Sequence, residues 1–177
     1  MQRIQLINPN TTAGEIRALL IDVRKKQGRV SSMMRAMANS SAVLDGYLKF
    51  SEALAEGTLS TRLREQIALA VAEVNASPYC ISVHTAGGKS VGLSEDDLNA
   101  CRRFTSVNPK EAAALRFAFR IVMNRGEASE QEVERVRQAG FSDGEIVEII
   151  ANVGLNIFSN YFNKVAGVAA DSPAVEK

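Results

Sequence analysis

The sequence predicts an all-α fold, and two patterns in it carry that prediction. Apolar residues recur at steps of three and four along most of the chain, which is the period of a helix with one buried face. An alternation with period two occurs only over residues 3–7, and a lone short strand has nothing to pair with. Residues that start and stop helices divide the chain into about eight helices.

Five predicted helix starts have a capping residue three positions before a carboxylate, and this is the spacing of a capping box. The capping residues are Thr12, Ser94, Asn108, Ser129 and Ser142. Glycines lie where the helical patterns stop, because glycine adopts the left-handed backbone that ends a helix. The glycines at these stops are Gly28, Gly57, Gly92, Gly126 and Gly140.

Two segments predict helices that lie deep in the fold. Residues 62–75 are apolar nearly all round, which is typical of a helix buried centrally or packed between subunits. The last long segment begins after Ser142 and is predicted to be a core helix. Its apolar positions follow helical steps and are Ile146, Ile150, Val153, Ile157, Tyr161 and Val165. Residues 169–177 are expected to form a loose tail.

Length and charge indicate one domain, residues 1–177, that does not bind nucleic acid. The chain has 21 basic and 20 acidic side chains, so its net charge of +1 offers no concentrated positive field for phosphates. The sequence shows neither a signal peptide nor an apolar stretch of membrane-spanning length, so we expect a cytoplasmic protein without a membrane partner. Two cysteines and one histidine are too few ligands for a structural zinc site, and without a flavin or nicotinamide motif no cofactor is expected.

The single histidine, His84, follows Cys80 by four residues, which places both on one helical face. Ser77 is predicted to cap this helix, with Pro78 at the first position, where a missing amide hydrogen costs nothing. Cys80 then takes the third position, where the helix dipole favours an anion and therefore the reactive thiolate. His84 can exchange a proton with that sulfur directly or through one water. The alternative is a small buried thiol with no chemical role.

The stretch from Leu59 to Leu98, LSTRLREQIALAVAEVNASPYCISVHTAGGKSVGLSEDDL, resembles the AhpD-like, carboxymuconolactone decarboxylase superfamily. It has a glutamate early in an alanine-rich helix, then a cysteine with a histidine four residues later. The resemblance implies an AhpD-like helical domain in which Cys80 attacks a peroxide, His84 relays a proton and Glu65 is the relay carboxylate. It also implies a hydroperoxide or other small organic substrate, an external thiol or thiol protein as reductant, and a homo-oligomer built from trimers.

Ser77 is where the sequence departs from this family, because the peroxidase branch has the first cysteine of a Cys-x-x-Cys pair there. A serine can cap a helix but cannot form the disulfide that resolves a sulfenic acid. Resolution would then need Cys101, a cysteine of another subunit or an external thiol, and Cys101 is expected first of all to be a core-facing thiol. Tyr79 is expected to be a pocket wall. Three asparagines are expected to form hydrogen bonds between helices: Asn152, Asn156 and Asn160.

Both the role of Glu65 and the overall function leave alternatives open. Glu65 lies between Arg62 and Arg64, so it can be a surface carboxylate in an ion pair. Its neighbours one and two turns on are Leu69 and Ala72, however, and on that apolar side a carboxylate needs a partner. The first functional hypothesis is a thiol-dependent peroxidase or related thiol oxidoreductase. The second is a carboxymuconolactone decarboxylase-like lyase that acts by proton transfer, and the third is a non-enzymatic oligomeric helical module.

Overall fold

The computed structural model describes residues 2–171, and within that range the chain is helical with no strand. The helices are α1 (Gly14–Gln27), α2 (Ser32–Met37), α3 (Ser41–Ala55), α4 (Thr61–Val74), α5 (Pro78–Ser90), α6 (Glu95–Arg102), α7 (Pro109–Met123), α8 (Glu130–Gln138) and α9 (Asp143–Ala166). The all-α prediction is confirmed, with nine helices in these residues against about eight expected. None of the described helices has the length and apolar character that a membrane crossing requires.

Side-chain caps fix where the later helices begin. Ser94, Ser129 and Ser142 each form the predicted capping box with the carboxylate three residues on. Asn108 Oδ1 accepts hydrogen bonds from two backbone N–H groups at the start of α7. Glu111 does not complete a box there, because its carboxylate accepts a hydrogen bond from Gln66 on α4.

The start of α1 differs from the prediction. Its capping residue is Ala13, which has no side-chain hydrogen bond to give, so the box predicted at Thr12 is wrong. The backbone N–H of Thr12 instead donates to the Asn8 carbonyl in a turn that precedes the helix. Before that turn, the Arg3 N–H donates to the Ala166 carbonyl at 2.8 Å, which holds the period-two segment against the end of α9.

α4 lies at the centre of the fold and packs against α5, α6, α7 and α9. Its own chain surrounds it, which explains why its sequence is apolar nearly all round and shows that the central placement is correct. The buried side chains where α4 meets α6, α7 and α9 form what we call the α4 core. This core includes Leu69, Leu115 and Ile149 and contains Cys101.

A second group of buried side chains lies where α1, α2 and α3 meet the start of α5, and we call it the α2 core. Methionines are frequent in it, with Met33, Met34 and Met37 on a helix of six residues. Leu20 of α1 is 1 % exposed and closes one side. Cys80 belongs to this core. The two cysteines therefore lie in different parts of the protein.

α9 turns a polar face inward, which corrects the prediction of an apolar core stripe. Its buried polar side chains are Asn152, Asn156, Ser159, Asn160 and Asn163. Of the predicted stripe, Ile146 and Val153 are buried, but Ile150, Tyr161 and Val165 are exposed. We call the exposed apolar row the outer α9 stripe, and it consists of Val147, Ile150, Phe158, Tyr161 and Val165. The inner face is polar because it meets the α4–α5 turn, whose polar groups need hydrogen-bond partners away from water.

The predicted loose tail, residues 169–177, lies partly outside the described residues, which end at Asp171. The carboxylate of Asp171 accepts hydrogen bonds from the Ser32 backbone N–H at 3.1 Å and from the Tyr79 hydroxyl at 3.0 Å. These bonds connect the end of the described chain to the start of α2 and to α5.

Candidate thiol site

α4 and α5 form a helical hairpin that carries all three candidate catalytic residues. Glu65 lies on α4, and Cys80 and His84 lie on α5. Ser77 is the N-cap residue of α5 and Pro78 its first helical residue, as predicted, which makes Cys80 the third residue of the helix. Two adjacent helices therefore hold the three side chains.

The turn between these helices is held in an unusual conformation. Ala76 has a φ of 46°, which residues with a side chain seldom adopt. Asn75 supports the turn on one side by donating from Nδ2 to Asn160 Oδ1 at 3.0 Å. Its carbonyl accepts a hydrogen bond from Lys164 Nζ at 2.8 Å. α9 thereby fixes the point from which α5 starts.

Glu65 and His84 are in direct contact. His84 Nδ1 lies 3.0 Å from Glu65 Oε2, and both side chains are partly exposed. Neither neighbouring arginine competes, because Arg62 binds other acidic residues and Arg64 donates to the Leu59 carbonyl. With Nδ1–H donating to the carboxylate, the lone pair of His84 Nε2 is available to accept a proton.

The carboxylate of Glu65 rests on the backbone of α5 at Gly87. A Cβ atom added to Gly87 would lie 2.6 Å from Glu65 Oε2, closer than real Cβ contacts. The neighbouring Gly88 faces the other way, and its Cβ would lie 2.7 Å from Leu98 and 2.9 Å from Leu93. The two missing side chains therefore have different effects: Gly87 leaves room for the Glu65 carboxylate, and Gly88 lets α5 approach the α4 core.

The sulfur of Cys80 lies one helical turn from His84 but is not hydrogen-bonded to it. Cys80 is 3 % exposed, and its Sγ accepts a hydrogen bond from Asn163 Nδ2 at 3.3 Å. The same nitrogen lies 3.2 Å from Met33 Sδ. The structure thus brings Glu65 and His84 together and sets the sulfur beside them, beneath α2 and α9.

Ser77 and Tyr79 flank this sulfur in the sequence and have different surroundings. Ser77 is fully buried, and its Oγ has no hydrogen-bond partner within the described residues, so it does not cap the helix with its side chain. The Tyr79 hydroxyl donates to Asp171, and burial raises the pKa of Tyr79 to about 12. Tyr79 lines a cavity, the place expected of a pocket wall.

This cavity has a volume of about 610 Å³ and lies between α1, α2, α3 and the start of α5. Its apolar lining residues are Leu19, Val23, Met33, Met34, Leu48, Ala55 and Val83. Charged residues lie at its edge, and two of them, Lys26 of α1 and Glu52 of α3, form an ion pair with each other. Met33 lines the cavity, whereas Cys80 does not, and the sulfur atoms of both residues contact the same Asn163 amide nitrogen.

Tyr47 is a site residue that the sequence did not reveal. It lies on α3, lines the same cavity, and its ring packs 6.1 Å from that of Phe158. Burial raises the pKa of Tyr47 to about 12, and the nearby charges of Cys80, Tyr79 and Glu65 add to the effect. The phenol therefore stays protonated at neutral pH and can donate a hydrogen bond. No motif surrounds Tyr47 in the sequence, so only the fold could place it here.

Cys101 is remote from these groups, in the α4 core. It is 0 % exposed, and both cysteines are free thiols. Burial raises the pKa of Cys101 to about 11, and the negative charges of Glu111 and Asp97 act in the same direction. The structure matches the expectation of a core-facing thiol and does not bring Cys101 to Cys80.

The buried asparagines of α9 divide into two kinds. Asn152 and Asn156 donate to carbonyl groups of their own helix, so the prediction of bonds between helices is wrong for them. Asn160 does bond across helices, to Asn75. Asn163, which the sequence analysis did not single out, contacts the sulfur of Cys80. Within residues 2–171, no group of three His, Cys, Asp or Glu side chains is placed to hold a metal ion.

Comparison with known protein families finds one match, and it includes the region of the site. Residues 41–122, which contain Glu65, Cys80 and His84, match the model of the carboxymuconolactone decarboxylase family. No curated protein matches the chain in sequence.

Several solved structures share the fold. An uncharacterized peroxidase-related protein from Silicibacter sp. TM1040 superposes with a TM-score of 0.85 at 21% identity, over 97% of this chain and 92% of that one. An uncharacterized peroxidase-related protein with an alkylhydroperoxidase AhpD core, from Ralstonia eutropha JMP134, gives the same TM-score of 0.85 and 21% identity over 97% and 93%. A cysteine-to-alanine variant of the debrominase Bmp8, in complex with 2,3,4-tribromopyrrole, superposes with a TM-score of 0.81 at 17% identity over 96% and 91%.

Proposed function

We propose that the chain is a member of the carboxymuconolactone decarboxylase superfamily, whose family model matches residues 41–122, and that it is a thiol-dependent peroxidase or related thiol oxidoreductase with an AhpD-like helical fold. Cys80 would be the nucleophile, with His84 and Glu65 as its proton relay. The observation that carries the proposal is the contact of 3.0 Å between His84 and Glu65, one helical turn from the sulfur. A carboxylate that orients a histidine beside a thiol is the arrangement that activates a cysteine nucleophile.

The chemical step begins when a base accepts the Cys80 proton, and His84 Nε2 has the free lone pair for this. The thiolate attacks the terminal oxygen of a hydroperoxide, so that the S–O bond forms while the O–O bond breaks. The departing alkoxide takes a proton and leaves as an alcohol. His84 and the Tyr47 phenol are the groups near the sulfur that can supply that proton.

Reduction of the resulting sulfenic acid needs thiols from outside the chain. Ser77 has no sulfur, and Cys101 lies in the other core. An external thiol therefore attacks the sulfenic acid, which gives a mixed disulfide and water. A second external thiol then releases Cys80 as a thiol and leaves as an external disulfide.

We take the cavity as the route by which a substrate would approach a sulfur that is only 3 % exposed. Its lining is largely apolar, and its six charged residues balance, with three acidic and three basic side chains: Asp22, Asp45, Glu52, Lys26, Arg29 and Lys49. This favours a neutral, largely apolar organic molecule over an ion. Met33 lines the cavity and belongs to the same core as Cys80, and an unbranched thioether side chain moves more readily than a branched one.

The test is turnover of an organic hydroperoxide by the purified protein in the presence of dithiothreitol. We expect Cys80→Ser to lower the rate to background, while Cys101→Ser, the matched control, keeps the wild-type rate. Equal rates for the wild type and Cys80→Ser would overturn the proposal. A brominated pyrrole belongs in the substrate panel because the structurally similar debrominase Bmp8 binds one.

A second candidate is a lyase that acts by proton transfer, like the enzyme after which the superfamily is named. It is favoured by the observation that His84 contacts Glu65 and not Cys80. For a lyase, Cys80→Ser keeps activity on a lactone acid, whereas His84→Ala and Glu65→Gln abolish it. The same three variants therefore separate the two candidates.

A homo-oligomer built from trimers, which the resemblance implied, remains a proposal. The apolar character of α4 no longer supports it, because α4 is covered by its own chain. The outer α9 stripe supports the oligomer, since the exposed fractions of its side chains run from 43% at Phe158 to 70% at Val165. Light scattering should show that Tyr161→Glu lowers the molar mass, whereas Val107→Glu, at a site 89% exposed elsewhere, does not. An unchanged mass in Tyr161→Glu would remove this face from consideration.

A further inference from the structure

Asn163 contacts the candidate nucleophile and takes no part in the chemistry described above. Its Nδ2 lies 3.3 Å from Cys80 Sγ and 3.2 Å from Met33 Sδ. Its side-chain oxygen is buried and has no partner among the described residues. Since an amide nitrogen carries two hydrogens, both of its donors are committed to sulfur.

This use of an amide differs from that of the other asparagines of α9. Asn152 and Asn156 donate to carbonyl oxygens of their own helix, which are stronger acceptors than sulfur. Asn163 is 2 % exposed and faces a cysteine and a methionine instead. A neutral thiol is a weak acceptor, whereas a thiolate is an anion and forms a charge-assisted hydrogen bond.

The charged and titratable groups around Cys80 make such a donor important. Tyr47 on α3 lies close enough to respond to the charges of Cys80, Tyr79 and Glu65, and Glu65 contacts His84, which lies one turn along α5 from Cys80. The carboxylate of Glu65 repels a thiolate, and both phenols are neutral at physiological pH. Among the described residues of α9, Asn163 is the one whose side chain donates a hydrogen bond to the sulfur.

We propose that Asn163 is a positioning residue that holds the Cys80 sulfur in place and stabilises its thiolate through the Nδ2 hydrogen bond. This inference rests on the proposed function, because it matters only if the Cys80 thiolate is the reacting species. It also explains why the inner face of α9 is polar at this point. The apolar residue that the sequence pattern would otherwise favour could not stabilise an anion here.

The test compares Asn163→Leu, which keeps similar bulk without a donor, with Asn163→Asp, which replaces the donor by an acceptor. Carbon-13 NMR of the Cys80 Cβ, in a Cys101→Ser background, follows thiol ionisation directly and needs no substrate or access to the sulfur. We expect the titration midpoint to rise by about one to two pH units in Asn163→Leu and further in Asn163→Asp. The matched control is Asn156→Leu on the same helix, whose amide does not touch the sulfur and whose midpoint should not move.

The two variants keep the test decisive if one of them does not fold. An unchanged midpoint in either folded variant overturns the inference, because a residue that only fills space would be replaced without effect on ionisation. Peroxide turnover provides a separate readout. It should fall about tenfold at neutral pH in Asn163→Leu and recover at higher pH. A failure of the proposed function would instead appear as no turnover in the wild type while the NMR shift persists.

Discussion

The two cysteines are buried to nearly the same extent, 3 % exposed for Cys80 and 0 % for Cys101, yet their neighbours differ. Cys101 lies in the α4 core, where burial and two carboxylates favour the neutral thiol. Cys80 lies in the α2 core, with an amide donor on its sulfur and a histidine–carboxylate pair one turn away. Burial alone therefore does not separate a structural thiol from a candidate nucleophile, whereas the donors and acceptors that touch the sulfur do.

The largest expected effect is a difference in reactivity between the two thiols. The pKa of Cys101 is about 11, so about one molecule in ten thousand carries the thiolate at pH 7. We expect iodoacetamide to modify Cys80 first, and the Cys101 rate to rise about tenfold per pH unit up to about pH 11. Mass spectrometry of peptides separates the two sites. Equal labelling of the two cysteines at pH 7, or a labelling rate of Cys101 that does not depend on pH, would contradict the expected difference in reactivity.

Gly87 belongs to the Cys80 side of this comparison. In Gly87→Ala the added Cβ would lie 2.6 Å from Glu65 Oε2, so the carboxylate must shift from its present place, and we expect its contact with His84 to be disturbed. We expect turnover to fall about 10- to 100-fold with little change in melting temperature. Turnover and thermal unfolding measured on the same sample test this. Full activity would show that the position of Glu65 does not matter.

Gly88 belongs to the Cys101 side, although it is adjacent in sequence. Its added Cβ would press on Leu98 at 2.7 Å and Leu93 at 2.9 Å, both part of the α4 core. We expect Gly88→Ala to lower the free energy of unfolding by about 1–3 kcal/mol and to keep turnover per folded molecule. Denaturant unfolding measures the first quantity. If the two glycine variants gave the same loss of activity, the division into two sides would fail.

The smallest effect concerns stability at alkaline pH. The folded-state pKa of Cys101, about 11, exceeds its unfolded value near 9.0, so the stability it contributes is present below pH 9 and is lost as the pH rises through 11. Tyr47 behaves in the same way between pH 10 and about 12. Cys101→Ala should therefore reduce the decline in unfolding free energy between pH 9 and pH 11 by on the order of 1 kcal/mol. Tyr47→Phe should likewise reduce the decline in unfolding free energy above pH 10. Urea unfolding at each pH measures both slopes, and wild-type slopes in both variants would contradict the assignment.

The elements that depend on local signals followed from the sequence. Ser77 and Pro78 fixed the start of α5 and hence the third position of Cys80, because a proline fits only in the first turn. The capping boxes at Ser94, Ser129 and Ser142 are similarly local. The partner of Glu65 could be anticipated because a carboxylate on an apolar side of a helix needs one, and His84 supplies it.

What the sequence could not provide depends on distant parts of the chain. Asn163 and Tyr47 reach the site from α9 and α3, and no spacing rule connects them to Cys80. The orientation of α9 was wrong for a related reason. Periodicity identifies an apolar face but does not say whether that face meets the core or the outside, and here Tyr161 and Val165 are on the outside.

The hairpin of α4 and α5 also has a consequence for how the protein folds. Glu65 and His84 are only 19 residues apart, so the loop between them closes early and at little entropic cost. Cys80 and Asn163 are 83 residues apart and meet only when the last helix docks. A nascent chain can thus form the contact between Glu65 and His84 early, whereas the sulfur of Cys80 acquires its amide donor only when α9 docks.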